Sequence, residues 1–185
     1  MREAWREAQQ TMDVYKLIFL DECSVNTGMT RLYARGMSNE RIVDYVPDVR
    51  FERTSLLSSV RLNGDAVPLV FEGSLNGDLF KAYISKCLAP TLHQGDIVIM
   101  DNLTSHKVKG VAELISATGA SVLYLPPYSP DFNPIEMMWS KIKAYLRKVR
   151  ASTSASLDAA IAHAFSLISP SDILGWFAQD GYSIC

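Results

Sequence analysis

The chain has 185 residues, enough for one domain with a sizeable core, or one domain with a short appendage. Its composition, 48% hydrophobic and 21% charged, is ordinary for a globular protein, and no apolar run reaches the length of a membrane span. A formal net charge of −2 excludes a global electrostatic footprint for nucleic acid, so any such contact must come from local patches or from another part of the protein.

Residues 1–15 read as a short charged helix with nothing that suggests chemistry, and their Trp-containing, charged start is not a signal peptide. Leu17, Ile18, Phe19 and Leu20 form an apolar run that predicts a buried strand, ending in Asp21 and Glu22. An acid at that tip is either a turn residue or a site residue. Residues 24–50 are irregular and polar, with a short strand expected over 41–46. Two alternating segments, 54–62 and 66–71, flank Asn63-Gly64-Asp65, and Asn-Gly between such runs predicts a hairpin. Residues 76–92 carry apolar side chains at helical spacing. Gly95-Asp96 leads into a second apolar run, 97–100, again followed by an acid, Asp101. A helix is expected over 108–118, a strand over 121–125, and helices over 157–168 and 171–179. Cys23, Cys87 and Cys185 are odd in number and form no CxxC, which argues against a disulfide scaffold or structural zinc and suits a reducing cytoplasm. Strand–helix alternation after residue 76 implies parallel strands with right-handed crossovers, and the hairpin implies an antiparallel half. The expected fold is α/β, a mixed sheet flanked by helices.

The most informative stretch is 125–150. Its proline-stiffened loop runs into an amphipathic helix, with Asn133 as the expected N-cap and Pro134 at the first helical position. At about 100° per residue, Glu136, Ser140, Lys143, Arg147 and Arg150 share one face, while Met138, Trp139, Ile142, Tyr145, Leu146 and Val149 cover the apolar arc. Such a helix could hold a metal ion beside a phosphate backbone. Alternatively, Glu136 only complements the helix dipole and the basic face is solvated.

Parallel α/β sheets place ligands at the carboxyl ends of their strands, where Asp21 and Asp101 are expected, and the loop after another strand delivers Glu136. Three converging carboxylates repel one another, and divalent metal is the simplest compensation. Oxygen-only ligation favours magnesium or manganese over zinc, and two such ions roughly 4 Å apart serve phosphodiester chemistry.

Phe19-Leu20-Asp21-Glu22, then Ile99-Met100-Asp101-Asn102 with His106, then the run from Leu125 to Glu136, taken together, resemble the catalytic domain of DDE transposases. More narrowly they are similar to the bacterial insertion-sequence branch of the mariner superfamily, insertion-sequence family 630. The 34 residues between Asp101 and Glu136 match that branch, and the resemblance extends from Lys16 to the closing Asp180-Gly181-Tyr182. It implies an RNase H-like fold, a mixed five-stranded sheet flanked by helices, over 16–185, with 1–15 as an N-terminal extension. It implies Asp21, Asp101 and Glu136 as the catalytic triad holding two Mg²⁺ or Mn²⁺ ions. Asn102, His106 and Asn133 would support the site, and Lys143 and Arg147 would contact DNA phosphate. Implied too are transposon-end and target DNA as partners, cleavage followed by joining of the 3′-hydroxyl, typically at TA, and action in the bacterial cytoplasm at the nucleoid. Family members carry helix-turn-helix DNA-reading modules, which this chain would receive by fusion or from a separate chain, and a homodimer is possible on the same ground. The competing readings are an inactive remnant that binds DNA or a transposase partner, and an RNase H-like nuclease of other specificity.

Overall fold

The computed structural model describes residues 1–31, 33–46, 51–102 and 108–184. In chain order its main elements are α1 (Arg2–Gln9), β1 (Leu17–Asn26), β2 (Arg53–Arg61), β3 (Leu69–Glu72), α2 (Gly77–Tyr83), β4 (Ile97–Met100), α3 (Val111–Ser116), β5 (Ser121–Tyr124), α4 (Pro134–Val149), α5 (Ser154–Ser166) and α6 (Pro170–Gln179). The strands form one five-stranded sheet in the order β3-β2-β1-β4-β5. β1, β2 and β3 pair antiparallel, whereas β1, β4 and β5 pair parallel, so the mixed sheet expected from the sequence is present.

β1 is longer than the four-residue apolar run suggests. Its parallel pairing with β4 stops at Leu20↔Met100, but its antiparallel ladder with β2 continues from Asp21↔Ser58 to Asn26↔Arg53. The ladder satisfies the backbone of 21–26, which side-chain pattern alone does not reveal. Asp21 therefore sits inside β1, one step past the end of its parallel partner, and not at the strand's tip. The expected strand at 41–46 does not form: Val43, Tyr45 and Val46 are exposed, and the segment has no ladder partner among the described residues. The Asn63-Gly64-Asp65 turn closes as predicted, with Gly64 at φ +98° and the Arg61 N–H donating to the Asp65 carbonyl. After a bridge between Val60 and Ala66, the ladder resumes at Leu57↔Leu69.

Helix boundaries follow their caps. Asn76 accepts from the Leu79 N–H at 2.9 Å and starts α2, which runs on through a π-helical turn (Ile84–Leu88) and a 3₁₀ turn (Ala89–Thr91). α3 starts three residues later than expected, after Gly110 at φ +93°. Thr153 and Ser169 each close a capping box, starting α5 and α6 slightly earlier than the apolar periodicity indicates.

The alternation of strand side chains divides the core in two. Leu17, Phe19, Cys23 and Val25 of β1, with Ile99 of β4, pack among α1, α4, α5 and α6. Ile18 and Leu20, with Val98 and Met100, face α2 and α3. On α4 the buried arc is Ile135, Met138, Trp139, Ile142 and Leu146; Tyr145 is half-buried and Val149 exposed. Trp5 of α1 is buried in the first cluster.

The Gly95-Asp96 step before β4 builds a buried ion pair. Asp96 accepts from Arg61 Nη2 at 2.8 Å and from the His93 N–H at 2.7 Å, with Lys16 Nζ 4.0 Å away. Burial pushes its carboxyl up, but these donors and charges outweigh that and hold it below the usual range. Removing one member of such a pair strands the other charge in the interior. Arg61→Ala is therefore expected to destabilise the fold by about 3 kcal/mol, measured by urea denaturation at neutral pH, whereas Lys16→Ala should change stability far less.

Candidate active site

Phe19 pairs with Ile99 and Leu20 with Met100 across adjacent parallel strands. Side chains alternate along a strand, so Asp21 continues the row of Leu17 and Phe19 while Asp101 continues the row of Ile97 and Ile99. Both rows face α4, and the register brings the two acids to the same level at the carboxyl edge of β4. Glu22 falls in phase with Ile18 and Leu20, towards the other face. α4 packs on β1 from above and carries Glu136 in its first turn. Asp21, Asp101 and Glu136 line one cavity of about 340 Å³, with the turn 125–130, Asn102 and Asn133 around them.

The electrostatics reflect this crowding. Asp21 is only 7% exposed. Its pKa rises to about 8, first through desolvation, then through the charges of Glu136, Glu22 and Asp101, against the Glu22 N–H that donates to Oδ1 at 2.8 Å. Glu136, more exposed, is also raised, by desolvation first and then by Asp101, while Lys143 pulls it down. Lys143 likewise acts on Cys23, whose thiol burial pushes up to about 12. Lys143 stands two turns along α4 from Glu136, and its charge is felt at both groups.

Asn133 does not cap α4 with its side chain. Its backbone carbonyl already receives the Glu136 N–H at 3.0 Å, and Pro134 has no N–H to satisfy. The buried carboxamide turns inward, where Nδ2 donates to Asp21 Oδ2 in a long contact of 3.5 Å. Its Oδ1 is buried without a hydrogen-bond partner among the described residues. Asn102 is exposed at the cavity edge, and His106 lies outside the described residues.

The basic run on α4 divides by partner. Lys141 pairs with Asp172 of α6. Arg150 has left the helix at φ +56° and pairs with Asp44, so it does not continue the Glu136 face. Lys143 and Arg147 are half-buried on that face, one turn apart. In the loop before α4, Tyr128 is 98% exposed and does not pack, while Asp131 is taken up by Arg2. Arg2 itself was invisible to sequence reasoning, because it and Asp131 are 129 positions apart and no local pattern joins them. Tyr182, whose hydroxyl donates to the Phe132 carbonyl at 2.7 Å, is a second such support.

The family model for the DDE superfamily endonuclease matches residues 16–158, most of the chain and all three acids. The chain belongs to the DDE superfamily of endonucleases. Over 64 residues it is 33% identical to the transposable element Tcb2 transposase of Caenorhabditis briggsae, which covers 35% of this chain and 23% of that protein. Among solved structures, the Mos1 transposase paired-end complex with left transposon end matches with a TM-score of 0.72 at 14% identity, covering 98% of this chain and 61% of that one. The catalytic domain of Mos1 mariner transposase matches with a TM-score of 0.63 at 14% identity, covering 99% of this chain and 91% of that one. The chain thus spans less than two thirds of the transposase chain in the paired-end complex, and the match covers about a quarter of Tcb2. Its fold is RNase H-like.

The donor chemistry of the cavity suits a hard divalent cation. Every candidate ligand is an oxygen, and mutually repelling carboxylates, of which Asp21 is buried, are what such an ion relieves. The spacing is wider than coordination: among the described residues no three His, Cys, Asp or Glu side chains are gathered closely enough to hold one ion. The residues fit the group in kind, and closure around it requires side-chain movement.

Because Asp21 takes up a proton on folding between its ordinary carboxylate range and about pH 8, the metal-free fold should lose stability as pH rises across that window. In EDTA, Asp21→Asn is expected to flatten that dependence, leaving the slope from Glu136 and Asp180, whose carboxyls burial also raises, and to be several kcal/mol more stable than the wild type at pH 8 and nearly equal to it at about pH 4. Thermal and urea denaturation across pH measure it.

Proposed function

We propose that this chain is the catalytic domain of a transposase in the bacterial insertion-sequence branch of the mariner superfamily. It cuts phosphodiesters at transposon ends and joins the freed 3′-hydroxyl to target DNA. The observation that carries the reading is the β1–β4 register, which sets Asp21 beside Asp101 beneath Glu136 in one cavity. Family membership supports the reaction class, and the paired-end structure of Mos1 supports transposon-end DNA as substrate.

In this reading Asp21, Asp101 and Glu136 hold two Mg²⁺ or Mn²⁺ ions, with Asn133 positioning Asp21 and with Asn102 and His106 in support. Ions so held supply positive charge to the phosphate and lower the proton affinity of the attacking oxygen. The chain's own groups do the rest. The β1 and β4 backbones fix two carboxylates on a rigid sheet, and α4 brings the third from above. Lys143 lies near Glu136, on the side where a non-bridging phosphate oxygen would approach, and Arg147 extends that positive track by one turn along the DNA backbone. In the first step water attacks phosphorus and the P–O3′ bond breaks, leaving a 3′-hydroxyl and a 5′-phosphate. In the second, that 3′-hydroxyl attacks a target phosphodiester, forming a new O3′–P bond as the target P–O3′ bond breaks.

Residues 16–185 form the catalytic unit in this proposal, with 1–15 as an extension. End recognition comes from a helix-turn-helix module, fused or separate, and the domain acts at the nucleoid. None of the described helices is long and apolar enough to cross a membrane.

The test is cleavage of labelled transposon-end DNA by the chain fused to its DNA-reading module, with Mg²⁺, Mn²⁺ or EDTA. Cleavage with either metal and none in EDTA is expected, with Asp101→Ala or Glu136→Ala lowering the rate by a factor of roughly 10³ or more. Lys143→Ala should lower it about tenfold at unchanged metal dependence. DNA binding without metal-dependent cleavage would sink the enzyme reading in favour of a DNA-binding remnant.

A further inference from the structure

We propose that Arg2, on the helix preceding the catalytic strands, is a positioning residue for the acid cavity, a role that rests on the functional reading above. The link is the turn that carries the chain from β5 into α4. One guanidinium grips four of its residues. Arg2 Nη1 donates to the Tyr128 carbonyl at 3.3 Å, to Ser129 Oγ at 2.7 Å and to Asp131 Oδ1 at 2.9 Å. Nη2 donates to Asp131 Oδ2 at 2.6 Å, and the guanidinium carbon stands 4.7 Å over the Phe132 ring centroid. The next residue is Asn133, in contact with Asp21, and three further on is Glu136.

That turn needs an external hold. Tyr128 sits at φ +54°, a left-handed conformation that a bulky side chain adopts only where its surroundings impose it. The tyrosine side chain contributes nothing, being 98% exposed. Groups from elsewhere hold it: Arg2 on the outside, with Trp5 and Arg6 against the Phe132 ring, and Tyr182 donating to the Phe132 carbonyl from the core side. Between them the turn is fixed on both flanks, while its inner surface lines the acid cavity. α1 is anchored in turn, through Trp5 stacked 6.4 Å from Phe132 and through Gln9 Nε2 donating to the carbonyls of Asp180 and Gly181.

An exposed ion pair ordinarily contributes little to stability. This one is bidentate, shared with a hydroxyl and a carbonyl, and lies over an aromatic face, a geometry lysine cannot reproduce. Its effect is therefore local: it sets where the first turn of α4 stands over β1 and β4, and so how readily Glu136 and Asp21 close on an ion.

The experiment compares wild type, Arg2→Ala, Arg2→Lys, Asp131→Ala and the double variant Arg2→Ala with Asp131→Ala in the 185-residue chain. Mn²⁺ affinity is read by calorimetry, and hydrogen exchange at the Phe132, Asn133 and Glu136 amides by mass spectrometry. Arg2→Ala is expected to weaken Mn²⁺ binding about tenfold and to speed exchange at those amides, with melting temperature and β1 and β4 exchange nearly unchanged. Arg2→Lys should recover only part of the loss. Asp131→Ala should match Arg2→Ala, and the double variant should be no worse than either. Wild-type Mn²⁺ affinity and loop exchange in Arg2→Ala overturn the proposal. Faster loop exchange at unchanged Mn²⁺ affinity overturns it too, leaving Arg2 a structural brace. If the wild type itself neither binds Mn²⁺ nor cleaves DNA, the functional reading fails, and this inference with it.

Discussion

Everything at the site depends on one parallel pairing, that of β1 with β4. Phe19↔Ile99 and Leu20↔Met100 are ordinary ladder partners between buried apolar residues. The pairing fixes the level of the residues that follow, and the two-residue alternation fixes their face. A one-residue slip would send Asp21 or Asp101 to the α2–α3 side and leave Glu136 facing a single acid. The core that holds the register is therefore also what holds the chemistry, and Phe19 shows why it resists slipping. It is fully buried, with Phe177 and Tyr182 ring centroids 5.3 and 5.2 Å away.

Two buried aspartates near this pairing show opposite solutions to the same cost. Asp96, just before β4, is matched by Arg61, the His93 amide and Lys16, and it stays charged. Asp21, beyond the other end of the pairing, faces two further carboxylates and one long contact from Asn133, and its proton affinity rises. Each has a physical rationale. The first secures the entry to the strand; the second leaves a negative site whose compensation must arrive from outside, as a cation or a proton.

α4 and its leading turn supply the third acid from a separate element. Its buried arc, with Trp139 and Ile142 at the centre, docks the helix on the sheet, while α5 and α6 cover its other flank. The turn before it is stiffened by Pro126, Pro127, Pro130 and Pro134, yet proline restricts only its own φ and the residue before it. Where the turn lies relative to β1 and β4 is settled by distant groups, Arg2 and Tyr182, and by the packing of Trp5 on Phe132.

Several features of this protein follow from the sequence alone. The apolar runs before Asp21 and Asp101, the Asn-Gly hairpin and the proline-led amphipathic helix are local patterns, and local physics suffices to read them. They point to the mixed sheet, and together with the Asp101–Glu136 spacing they carry the resemblance that implies the family and the triad. Other features were decided by tertiary structure. β1 extends to Asn26 because β2 pairs with it, and 41–46 forms no strand because no described residue does. Asn133 turns from helix cap to Asp21 neighbour because the main chain already meets the helix start, and Arg150 leaves the basic face for Asp44. Arg2 gains its place because folding brings the first turn of the chain against the last loop before α4. Sequence periodicity carries information about neighbours three or four residues apart. Which groups meet across more than a hundred positions, and which buried carboxylate finds a counter-charge, depends on strand register and helix docking, which exist only once the chain has folded.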